Sequence, residues 1–71
     1  MPPLPVLSAK QLLGALARNG FERKRQKGSH ITMQHPDGRI TVVPNHRTIA
    51  KGTLRAILRD TKLSVEDLTR N

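Results

Sequence analysis

The sequence predicts an α+β domain whose elements run helix, strand, strand, strand, helix. Three observations lead there. A serine-capped helix signal near the start is followed by a short alternating apolar run between two turn signals. A second helical stripe then begins after a polar loop. With 71 residues, the chain makes one domain near the lower limit for an unstapled core. The layer solution for so short a chain is a three-stranded antiparallel sheet with both helices on one face. A short extra helix is expected at the C-terminus.

Residues 1–7 hold Pro2, Pro3 and Pro5, which prevent helix and suit a loose, flexible arm ahead of a single domain over 8–71. Ser8 and Gln11 have the spacing of a capping box, and Leu7 can staple onto Leu12. Leu12, Leu13 and Leu16, flanked by Ala9 and Ala17, form one stripe. Arg18-Asn19-Gly20 ends the helix with a cation for the negative dipole end and a residue tolerant of left-handed backbone. Phe21 is expected to fold the chain back onto this helix. Glu22 to Gln26 reads as an edge strand, because its run of charges shows no apolar alternation. Gly28 marks a bend or bulge allowing close backbone approach.

From His30 to His35 the alternation is clear: Ile31 and Met33 to one face, His30, Thr32 and Gln34 to the other. Pro36-Asp37-Gly38 is turn chemistry. The returning strand, Ile40 to Val43, closes at Pro44. Two registers are open. A two-residue turn places Ile40 and Val42 beside Ile31 and Met33; a bulged turn shifts the set by one. The second helix begins near Lys51 or Gly52, runs to about Asp60, and turns Leu54, Ile57 and Leu58 inward. Ser64 with Asp67 caps a last turn carrying Val65 and Leu68.

Composition narrows the function. Thirteen Lys and Arg stand against five Asp and Glu, a formal net charge of +8, which favours a polyanionic partner. Between residues 18 and 59 the only acidic residues are Glu22 and Asp37. Arg23, Lys24, Arg25 and Lys27 before His30, and Arg47 and Lys51 after the sheet, are therefore better matched to an external phosphate backbone than to internal partners. Lys51-Gly52-Thr53 at a helix start adds backbone N–H donors suited to phosphate. The absence of cysteine excludes disulfides and thiolate metal sites and fits a reducing cytoplasm. The single aromatic residue, Phe21, leaves no aromatic platform for base stacking. No apolar stretch is long enough to span a bilayer, and both apolar helix faces are needed for the core, leaving none for lipid.

Of three histidines, His30 and His35 are five apart on one strand and face opposite ways. No carboxylate cluster completes a ligand set, so neither a metal nor another cofactor is expected. His35 reads as a packing or capping residue, and His46 as a loop residue. His30 directly follows Lys27-Gly28-Ser29 and faces away from the apolar stripe. An imidazole, with an unperturbed pKa of about 6.5, suits general-base work near neutral pH.

The ordered set is Asn19-Gly20-Phe21, Lys27-Gly28-Ser29-His30, His35-Pro36-Asp37-Gly38-Arg39, Pro44, Lys51-Gly52-Thr53-Leu54, Ile57-Leu58 and Leu63-Ser64. It resembles the HicA family of toxin ribonucleases over about residues 8–68. The resemblance implies a double-stranded-RNA-binding-domain-like fold and an mRNA interferase of a type II toxin–antitoxin pair, with a HicB-type antitoxin as partner. It places the family's functional histidine on His30, with Lys27, Gly28 and Ser29 supporting it. The expected chemistry is metal-independent RNA cleavage with His30 as general base. The alternative is a non-catalytic RNA-binding module of the same fold.

Overall fold

The structure, a computed structural model, describes residues 3–70. The element order is α1 (Ala9–Arg18), β1 (Glu22–Lys27), β2 (His30–Gln34), β3 (Ile40–Pro44), α2 (Lys51–Thr61) and α3 (Val65–Thr69). This is the expected α-β-β-β-α order with its small final helix.

α1 starts where the capping box predicts. The Ser8 backbone N–H donates to Gln11 Oε1 at 2.9 Å, and Gln11 N–H donates to Ser8 Oγ at 3.1 Å. Two of the four orphan N–H groups of the helix start are thereby satisfied. Ala9, Leu12, Ala15 and Leu16 are buried, positions i, i+3, i+6 and i+7 of one helical face. Ala17, expected beside that stripe, is exposed, and Ala15 takes the inward position instead. Asn19 closes the helix, and Gly20 at φ +92° turns the chain. Phe21 then comes back under α1 with its N–H on Leu16 O at 3.0 Å and its ring buried.

The strands form one antiparallel sheet in the order β1-β2-β3. β2 alternates as read: Ile31 and Met33 are buried, and His30 is exposed. In β3 the register is the shifted one. Val43 pairs with Ile31 and Thr41 with Met33, so Ile40 and Val42 emerge on the far face. The cause is the five-residue connection His35–Arg39. Gly38 N–H bonds His35 O at 2.9 Å, Asp37 Oδ1 accepts from Arg39 N–H at 3.0 Å, and Gly38 sits at φ +101°. β1 is one of the two edge strands, exposed at all six positions, with an irregularity between Arg23 and Arg25.

α2 and α1 both pack on the helix-facing side of β3, and α3 packs on α1. Leu54, Ile57 and Thr61 of α2 are buried with Ile49 of the preceding loop and Leu68 of α3. The Thr61 hydroxyl is satisfied by Ile57 O at 2.8 Å. Leu4 and Leu7 of the N-terminal arm pack against this core, and Leu7 O accepts from Ile49 N–H at 2.8 Å. Met1 and Pro2 lie outside the described residues. No helix among the described residues is long and apolar enough to cross a membrane.

Candidate functional site

Gly28 and Ser29 join β1 to β2 as a two-residue turn between the paired residues Lys27 and His30. Gly28 has φ +59° and Ser29 has no positive φ, the pattern of a tight hairpin turn with glycine first. A Cβ on Gly28 would meet nothing within 4 Å. The glycine is thus required by backbone conformation: of the bend or bulge expected there the structure has the bend, and the expected close backbone approach is not made. The Gln26 side-chain amide donates to Gly28 O at 3.0 Å and steadies the turn. Asn45 N–H donates to Ser29 O at 2.6 Å, tying the turn to the loop after β3. Lys27, His30, Pro44 and the start of the Asn45–Ala50 loop, which carries His46 and Arg47, thereby meet at one end of the sheet.

Residues paired across an antiparallel sheet share a face, with Cβ atoms about 4.5–5.5 Å apart. The face away from the helices therefore reads in rungs: Lys27–His30–Pro44, then Arg25–Thr32–Val42, then Glu22–Gln34–Ile40. The β1 column carries the charge, the β2 column is polar, and the β3 column is apolar. Ile40 is 50% and Val42 45% exposed. Glu22 meets Lys24 at 3.8 Å, so the carboxylate is engaged at the far end and the cations nearest His30 have no carboxylate partner among the described residues.

Not every candidate residue shares this face. Arg23 pairs with Met33 and lies on the helix side. There it lines a 660 Å³ groove with Lys10, Leu13, Ala17 and Gln26. Lys24 sits in the strand irregularity beside Glu22. Lys51 opens α2, whose N-cap, Ala50, makes no side-chain hydrogen bond.

His35 belongs elsewhere. Its ring meets Phe21 edge-on at 5.2 Å, its Nδ1 accepts from Asp37 N–H at 3.1 Å, and it stands against Gly20. Arg39, which pattern reasoning passed over, completes the cluster. It chelates Asp37, lies 5.2 Å over the Phe21 ring, and donates to Thr61 O at the end of α2. Its backbone N–H, and then its guanidinium and charge, hold the Asp37 carboxyl below the usual carboxylate range. This cation is consumed by the fold. Among the described residues, no group of three or more His, Asp or Glu is placed to hold a metal ion.

Fold and face together define a small basic α+β domain presenting one histidine beside cations on an uncovered sheet. The family model described as "HicA toxin of bacterial toxin-antitoxin" matches residues 9–63, well over half of the chain. The chain belongs to this HicA toxin family and is the toxin-type member of a toxin–antitoxin system. No curated protein matches it.

Proposed function

We propose that the protein is an RNA-cleaving toxin, an mRNA interferase, in which His30 acts as general base. The observation that carries this reading is His30 itself. It is exposed at the first position of β2, beside Lys27 and turned away from the core. RNA brings its own nucleophile, so the protein has only to remove a proton and stabilise charge. His30 takes the proton of a 2′-hydroxyl, and the 2′-oxygen attacks the adjacent phosphorus. The P–O5′ bond breaks, and the leaving oxygen takes a proton from solvent. The products are a 2′,3′-cyclic phosphate and a 5′-hydroxyl. Lys27 and Arg25 offset the charge that builds on the phosphoryl oxygens, and Arg47 and Lys51 hold the flanking backbone.

The end groups test the reaction. RNA cut by the purified protein in EDTA is expected to carry 2′,3′-cyclic phosphate. A strand with a single 2′-deoxynucleotide at the scissile position is expected to survive there. Cleavage of that deoxy position would overturn the proposal.

The partner is a HicB-type antitoxin that covers the basic face and His30, and the complex is cytoplasmic. Co-expression with the adjacent reading frame should restore growth to cells making the toxin; failure of both neighbouring frames to do so would count against it. The second reading, an RNA-binding module without catalysis, rests on the same cationic rungs and predicts retention of RNA with no cut.

A further inference from the structure

We infer that the apolar β3 column, Val42 and Ile40 with Pro44, is a platform for the base of an unpaired RNA segment lying across the open sheet. This rests on the reading of His30 and its neighbours as the place where RNA is held, and it names the form of RNA taken and the residues that select it. Two large aliphatic side chains, 50% and 45% exposed, stand on the face that also carries Arg25, Lys27 and His30. The outer columns are two strand spacings apart, about 10 Å. His30 and Thr32 lie between them. A ligand centred on His30 therefore meets cations on one side and an aliphatic surface on the other.

A polynucleotide with free bases offers the matching pair: anionic phosphates along one edge and apolar ring faces along the other. A duplex does not, because its ring faces are stacked inside and it presents phosphates, sugars and groove edges. Aromatic residues do this work in many single-strand binders. Here the sole Phe, Tyr or Trp ring, Phe21, is buried at 2% exposure and engaged by His35 and Arg39. An aliphatic platform is what the face has left.

The experiment measures binding in the His30→Ala chain, so that its outcome does not depend on cleavage. A labelled unpaired oligoribonucleotide and the same strand in a perfect duplex are titrated by fluorescence anisotropy at one salt concentration. The unpaired strand is expected to bind more tightly. Val42→Thr combined with Ile40→Thr should weaken it by about five-fold, the effect of losing aliphatic contact area, with the salt dependence unchanged. Val42→Ile should retain full affinity. Arg25→Gln should instead make the salt dependence shallower, by about 0.7 in the log–log slope. Equal or tighter binding of the duplex, or no effect of the paired Thr substitutions in a chain that melts normally, would overturn the inference. So would a loss of self-association or of antitoxin binding in the Thr variant with RNA affinity intact, which would assign the platform to a protein.

Discussion

Gly20 and Gly28 are the same residue type set to different tasks. Both have positive φ, but a Cβ at Gly20 would lie 2.7 Å from His35 Nε2, whereas one at Gly28 meets open space. Gly28→Ala therefore carries only the left-handed backbone cost, about 1 kcal/mol. Gly20→Ala adds displacement of a ring packed on Phe21 and should cost about 2–3 kcal/mol. Thermal melts of the two variants check the ordering; equal shifts would contradict the contact at Gly20. Lys62 is the mirror case, a non-glycine at φ +59° closing α2. Lys62→Gly should stabilise by about 0.5–1 kcal/mol, a rise of roughly 3–6 °C in a domain of this size.

At the scale of elements, the two capping boxes fix where α1 and α3 begin, and one of them titrates. Asp67 accepts from Ser64 N–H at 2.9 Å while Ser64 Oγ accepts from Asp67 N–H at 3.1 Å. The backbone bond first, then the hydroxyl, holds this carboxyl below its usual range. Asp37 is lowered in the same sense by Arg39. A depressed carboxylate contributes stability that is fully present above its unfolded pKa and lost as pH falls through the folded one. The difference in melting temperature between the parent and Asp37→Asn or Asp67→Asn should therefore be largest near pH 6 and shrink below pH about 4. A difference that grows on acidification would contradict the assignment.

These local signals were also the legible ones. Capping boxes, turn residues and the Ile31/Met33 alternation declare themselves by type and spacing. Three features do not. The β3 register depends on how Arg39 and Asp37 close a five-residue loop, and sequence leaves it open between two sets. Arg39 reads as one more cation until Thr61 O and the Phe21 ring are seen around it. Ile49, buried at 4% exposure, hides in a polar loop because only the neighbouring helix packing turns it inward. Strand alternation alone separates His30 from Ile31, so its place on the open face is legible in the sequence. The split of the basic run is not, since the irregularity between Arg23 and Arg25 breaks the alternation.

The whole molecule is a core covered on one side and a graded face on the other. Its charge of +8 is not spent on internal pairs: apart from Lys24 with Glu22 and Arg39 with Asp37, no Lys or Arg forms an ion pair among the described residues. If Arg25, Lys27, Arg47 and Lys51 all meet phosphates of an unpaired strand, affinity should fall on the order of fifty-fold between 50 and 200 mM salt. A flat salt profile would remove the phosphate contacts from the account. The proposed chemistry, however, depends on one exposed ring, that of His30. The most direct measurement compares RNA cleavage by the parent protein and His30→Ala, with melting temperature and RNA retention recorded on the same samples. Cleavage should vanish in the variant while melting and retention stay close to those of the parent, and a variant that still cuts RNA at the parental rate would contradict the account.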